Sequence, residues 1–245
     1  MNTKRHFISI VLILNLFFIM NVKSNTVNES SLSTKQKCIV RISSFTAQGK
    51  LNDLNLAINE GLDTGLTVNE IKEVMVHLYA YCGFPRSLQG INTLMSVLEE
   101  RKARWINDKV GKEASPIKDT GDKYERGRKV LEELTGRKQT RPVSGFGAFS
   151  PEIDVFLKEH LFADIFERDV LTYFQRELVT IAALANMNSV EPMLLAHLGM
   201  GMNVGITEPQ LEDLFTIIED AVGTRQADNG RKILKSVIDY RNMPK

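Results

Sequence analysis

Apolar residues recur along this chain at the three-and-four spacing of helices, and nowhere alternate with period two for long enough to propose a strand. That pattern predicts an all-α fold. The first helix is expected over residues 34–47, with Ser33 as its cap and Gly49 as its stop. A second places Leu51, Leu54, Ala57, Ile58 and Leu62 inward and closes at Gly65. Thr67 and Glu70 then form a capping box, with Leu66 and Ile71 as its hydrophobic staple, and start a helix through Val74, Met75 and Leu78. It ends at Gly83-Phe84-Pro85, and Pro85 suits the first turn of another helix reaching Trp105. Periodicity lapses between Asn107 and Lys123, which reads as a linker or a surface crossover. Helix returns over Tyr124–Leu134 and stops at Gly136. After the irregular stretch Arg137–Phe149, Ser150 is expected to cap a helix that begins at Pro151. From there to Tyr240 the pattern is helical almost throughout.

The N-terminus follows a different rule. Lys4, Arg5 and His6 precede an apolar run, Phe7 to Met20, broken only by Ser9 and Asn15. At about 14 residues the run is short for a membrane span of about 20, so residues 1–24 read as a cleaved signal peptide, with a retained anchor as the rival. An exported location, periplasmic or secreted, is therefore expected, with no membrane partner after cleavage. Loss of Lys4, Arg5 and Lys23 takes the 31 basic residues to 28 against 30 acidic ones, a net charge of −2. Neither nucleic acid nor an anionic membrane is implied. With 43% hydrophobic residues the rest can bury a sizeable core. Cys38 and Cys82 remain either buried thiols or a disulfide.

A repeat emerges at an offset of 140 residues. Gly65-Leu66-Thr67-x-x-Glu70-Ile71 matches Gly205-Ile206-Thr207-x-x-Gln210-Leu211, and the register continues with Val74 on Leu214, Leu78 on Ile218 and Gly83 on Gly223. The chain thus reads as two tandem copies of one helical unit: residues 25–110, a linker over 111–123, and residues 124–245.

Two titratable side chains in the second unit fall on faces that should be buried. Glu177 shares a helix face with Phe174, Ile181 and Leu184, and His197 shares one with Met193, Leu194, Met200 and Val204. A buried charge without a partner is expensive, so the two are expected to meet. They form either an acid/base pair or an ion pair that only fixes two helices. The four histidines never approach a metal-ligand spacing, and no glycine-rich turn suits a phosphate or dinucleotide.

The segments Tyr124–Gly136 and His160–Leu184, with His77-Leu-Tyr-Ala-Tyr-Cys-Gly-Phe-Pro85 in the first copy, resemble the carboxymuconolactone decarboxylase family. The resemblance implies an alkylhydroperoxidase D-like helical fold in tandem, assembled into homo-oligomeric rings. The family's peroxidase branch needs a Cys-x-x-Cys before its histidine, but Val190 and Met193 stand there. In the first copy the 140-residue offset puts Lys37, Asp53 and Ala57 opposite Glu177, Met193 and His197. Without a thiolate and a resolving thiol, peroxidase chemistry is not expected. The decarboxylase branch needs neither metal nor organic cofactor. It acts on a small carboxylated lactone, where loss of carbon dioxide leaves a dienolate to be protonated. On that reading His197 transfers the proton and Glu177 orients it. Tyr81 and Arg86 are candidates to hold a carboxylate or carbonyl oxygen, and His77 and Cys82 stand beside them at a rim supplied by copy one. The alternative is a non-catalytic, exported, oligomeric helical module on the same scaffold.

Overall fold

Four helices begin at reciprocal capping boxes, Ser33 with Gln36, Thr67 with Glu70, Thr172 with Gln175 and Thr207 with Gln210, each satisfying amides that a first turn leaves without acceptors. The computed structural model describes residues 31–139 and 144–244, so the expected leader lies outside the described residues. In chain order the helices are α1 (Thr34–Gln48), α2 (Leu51–Asp63), α3 (Val68–Ala103), α4 (Lys123–Thr135), α5 (Phe146–Phe149) and α6 (Pro151–Val155), which continues as a π-helical segment (Phe156–Ile165). Then come α7 (Tyr173–Ala185), α8 (Glu191–Asn203), α9 (Glu208–Ala221) and α10 (Thr224–Arg241). Among the described residues no strand occurs.

Of the local expectations, one holds and one needs correction. The break at Gly83 holds: within the span of α3, Gly83 takes the non-helical φ 78° and ψ 166°, a positive-φ conformation that a Cβ would disfavour, and two helical stretches meet there at a kink. Ser150 does not cap with its side chain, since its hydroxyl donates to Glu152 Oε2 at 3.3 Å instead of accepting from the backbone. His160 lies inside the π-helical segment, where it bonds Tyr79 Oη at 2.9 Å and Asp164 Oδ2 at 3.2 Å. The stretch after α3 folds back as a crossover. The carbonyls of Lys109 and Val110 accept from the amides of Val68 and Asn69 at 3.0 and 2.9 Å, serving the first turn of α3.

The two copies interlock. α1 and α7 pack against each other, α1 also packs on α9, and α7 on α3, so α1 of copy one lies on α9 of copy two and α7 of copy two on α3 of copy one. Such exchange is the arrangement of an isologous dimer joined into one chain. α7 is buried without interruption from Arg176 to Ala185, as befits a helix surrounded by others. One core draws on both copies, from Ile39 and Ile58 to Leu178, Leu214 and Phe215.

α4 and the π-helical segment form a second cluster around Leu134, Phe162, Phe166 and Met200. Their backbones approach closely at Gly127, where a Cβ would stand 1.7 Å from the Lys158 carbonyl oxygen. Gly199 in α8 has no such neighbour within 4 Å. Gly127→Ala is therefore expected to destabilise the fold by about 1–3 kcal/mol or more, while Gly199→Ala stabilises it by roughly 0.5–1 kcal/mol through the unfolded chain. Urea midpoints that move in the same direction for both variants would refute the close-approach account.

Candidate functional site

Gly201 lets α8 lie close on α7, since a Cβ there would reach Ile181 Cδ1 at 3.0 Å and Glu177 Cβ at 3.7 Å. Across that contact His197 Nδ1 stands 2.9 Å from Glu177 Oε2. With the carboxylate accepting, Nδ1 carries the proton and Nε2 is the ring atom left for exchange with another molecule. The glutamate side chain is fully buried and the histidine keeps 10% of its surface open.

Copy one adds two rings from α3. Tyr81 meets His197 edge to face at 5.3 Å between centroids, and His77 lies 5.2 Å from Tyr81 and 5.1 Å from Phe166. His77 is fully buried. Arg176 Nη1, which can only donate, stands 3.2 Å from His77 Nδ1. The ring must therefore accept there and donate from Nε2 to Thr180 Oγ1 at 2.8 Å, and Thr180 in turn donates to the Arg176 carbonyl at 2.9 Å. Burial, with the Arg176 and His197 charges adding to it, holds His77 well below the ordinary histidine value, so it stays neutral. Tyr81 is pushed far above the usual phenol range, chiefly by burial and also by the Glu177 carboxylate, and remains a hydrogen-bond donor.

Behind these rings lies a cluster that the apolar pattern alone did not single out. Arg176 is wholly buried and donates from Nη2 to Glu73 Oε1 at 2.7 Å and to the Arg168 carbonyl at 2.6 Å. Arg168 also grips Glu73, through Nε at 2.9 and 3.0 Å and Nη2 at 2.9 Å. A signal existed: Glu73, His77 and Tyr81 recur every four residues, a polar stripe on one face of α3.

The remaining candidates lie apart from the pair. Arg86 is exposed with its guanidinium over Gly49 at the end of α1, and among the described residues it makes no hydrogen bond to Glu177, His197 or Tyr81. Cys82 donates to the Leu78 carbonyl at 3.2 Å, and burial pushes its thiol up to about 11 against the pull of Arg86. Cys38 and Cys82 are both free thiols. A shallow groove of about 520 Å³ opens elsewhere, between α2 and the second half of α3, lined by Leu51, Asn55, Leu56, Asn92 and Ser96. No titratable side chain lines it, so it offers no acid–base chemistry.

The duplication has a second, unequal half. Capping residues align Ser33 with Thr172, an offset of 139 through α1 and α7, whereas Thr67 and Thr207 keep 140. Gly61 and Gly201 confirm the shift: their Cβ positions face Ile42 and Cys38 in one copy, and Ile181 and Glu177 in the other, Cys38 and Glu177 Cβ both at 3.7 Å. The counterpart of Glu177 is thus Cys38, not Lys37 as the uniform offset placed it. Between the aligned stretches the second copy holds one residue more than the first, the offset passing from 139 in α7 to 140 in α8. Ala57 replaces His197, and Ile217 and Ala221 of α9 replace His77 and Tyr81. Lys37 instead corresponds to Arg176 and Asp213 to Glu73, and these two also pair, at 3.1 Å and part exposed.

A sequence model of the carboxymuconolactone decarboxylase family matches residues 17–94 and 151–236, one segment in each copy. Tyr124–Gly136, which contributed to the resemblance, falls between the matched segments. No curated relative matches the chain.

Removing one member of a buried ion pair leaves the other uncompensated, so Glu73→Gln is expected to cost about 3–5 kcal/mol. Asp213→Asn, at the equivalent but part-exposed position, should cost about 0–1 kcal/mol. Equal losses in chemical denaturation would show that burial does not govern this network. A second expectation concerns pH. The unfolded chain protonates His77 near the ordinary 6.5 and the folded chain only well below it, so as pH falls the unfolded state takes up the proton first. The neutral ring's contribution is complete above about pH 6.5 and declines below it, by up to about 1.4 kcal/mol per unit, until the folded value is reached. His77→Gln should flatten the thermal-stability profile between pH 7 and 5, and an unchanged slope would contradict a neutral His77.

Proposed function

The chain belongs to the carboxymuconolactone decarboxylase family, and from that premise we propose that it is a cofactor-independent lyase or isomerase acting on a small carboxylated lactone or a related acid. The observation that carries this reading is the 2.9 Å contact between Glu177 and His197, with the histidine side chain left 10% open. Glu177 fixes the ring through Nδ1, and Nε2 exchanges a proton with substrate carbon or oxygen. If carbon dioxide is lost, the electron pair of the broken carbon–carbon bond passes into the lactone carbonyl, and the resulting dienolate takes its proton from His197. Tyr81, held protonated beside it, donates to the oxygen where that charge develops. Burial raises both cysteines, which speaks against thiolate chemistry on this scaffold. Export and homo-oligomeric assembly belong to the same proposal, supported by the apolar leader and by the family's ring assembly respectively.

A rival reading has an observation of its own. Glu177 is fully buried and His197 nearly so, which suits a helical module whose ion pair only ties α7 to α8. A turnover screen of the mature chain against carboxylated lactones separates the two. The enzyme reading expects His197→Ala and Glu177→Gln to lower kcat/KM by about 10²-fold or more while the helical circular dichroism is retained. Turnover that survives both substitutions, or no turnover of any lactone offered, favours the module.

A further inference from the structure

Two buried polar atoms beside His197 make no well-formed hydrogen bond among the described residues, Glu177 Oε1 and the Tyr81 hydroxyl, the Thr180 hydroxyl lying near enough to the latter only to draw its pKa down against the larger effect of burial. Their hydrogen-bonding senses are opposite. A carboxylate oxygen accepts, and a phenol kept protonated by its surroundings donates. Buried groups of this kind are seldom left unpaired, because each costs about 1–3 kcal/mol.

Their neighbours are already committed. The other oxygen of Glu177 holds His197. The Thr180 hydroxyl accepts from His77 and donates to the Arg176 carbonyl. Arg176 Nε is also unpartnered, but its guanidinium is bound at 2.7 Å to Glu73, a carboxylate it shares with the part-exposed Arg168, and His77 beside it is neutral. A carboxylate brought to this place would meet the Glu177 carboxylate at short range, which is unfavourable.

We propose that Glu177 Oε1 and the Tyr81 hydroxyl are the specificity-determining atoms of the site, and that the substrate end entering past His197 is neutral and both accepts and donates a hydrogen bond. A hydroxyl or an enol next to a lactone carbonyl has this character. The substrate's carboxylate, where it has one, stays outside, toward the open edge of the imidazole. This inference rests on the acid–base reading for the position of the reacting atoms, and adds which end of the molecule is inserted.

The test uses three matched probes at about pH 7, where carboxylic acids are ionised: α-hydroxy-γ-butyrolactone, unsubstituted γ-butyrolactone and 5-oxotetrahydrofuran-2-carboxylate. Each is titrated into the mature chain, Tyr81→Phe and Glu177→Gln, with the His197 imidazole followed by NMR. The hydroxylactone should bind at least about five-fold tighter than the unsubstituted ring, the difference expected of one buried hydrogen bond, and the carboxylate, inserting only its neutral carbonyl end, should depend on Tyr81 and Glu177 less than the hydroxylactone does. Tyr81→Phe, which keeps the ring and its packing, and Glu177→Gln should each bring the first ratio toward one. The proposal is overturned if Tyr81→Phe weakens the carboxylate more than the hydroxylactone, if the ratio survives Tyr81→Phe, or if none of the three perturbs His197. Selective binding without turnover would defeat the acid–base reading alone. Turnover that depends on His197 but ignores Tyr81→Phe would defeat the specificity assignment and the donor role of Tyr81, and leave proton transfer by His197 standing.

Discussion

Arg176 and Glu177 are adjacent, oppositely charged and wholly buried on a helix enclosed by others. Consecutive helical residues point about 100° apart, so the two cannot neutralise each other and must find partners in different directions. Taking either charge out of water without a partner is prohibitive. Arg176 turns toward copy one and finds Glu73 on α3, while Glu177 turns toward α8 and finds His197. That divergence fixes α7 against two neighbours at once. It also explains why the functional residues straddle the copies, since the helix that carries Glu177 is anchored through its neighbouring residue to the helix that carries His77 and Tyr81.

The second half of the duplication shows the same geometry with the chemistry removed. Where one half has Glu177, His197, His77 and Tyr81, the other has Cys38, Ala57, Ile217 and Ala221. The four positions differ as a set, and energetics accounts for that. Replacing both partners of a buried polar contact by apolar groups is nearly neutral, whereas replacing one strands the other. Lys37 with Asp213 keeps the outer ion pair in a part-exposed form, where its removal matters least. One polar site per chain is therefore the stable outcome of a fold that offers two equivalent places.

Much of the fold was legible because its signals are local. Capping boxes at Thr67 and Thr207 and the stop at Gly49 mark helix boundaries through hydrogen bonds made within a few residues. Glu177 and His197 could be singled out because a titratable group on an apolar stripe is conspicuous. The Glu73–Arg176 pair was not, because Arg176 falls beside Glu177, where one apolar stripe cannot accommodate both. The π-helical turn and the one-residue slip between copies depend on contacts distant in sequence. Gly127 against the Lys158 carbonyl is such a contact, and neither residue predicts the other. The slip matters most: a uniform offset pairs Glu177 with a lysine, whereas the aligned caps pair it with a buried cysteine.

The inner network and the outer pair divide the work between charge and orientation. Glu73 answers both Arg176 and Arg168, and the buried layer behind the rings sets directions through its hydrogen bonds. Arg176 dictates that His77 Nδ1 accepts, which dictates that Nε2 donates to Thr180, which in turn commits the Thr180 hydrogen to a backbone carbonyl. Each step removes a freedom that water or a rotating hydroxyl would otherwise retain. Phe166, His77, Tyr81 and His197 then stand in ring contact one after another, ending at the imidazole's open edge. An arginine that touches no incoming molecule thereby helps determine which way the last rings face, and it can do so only because two copies of one helical unit were folded into each other.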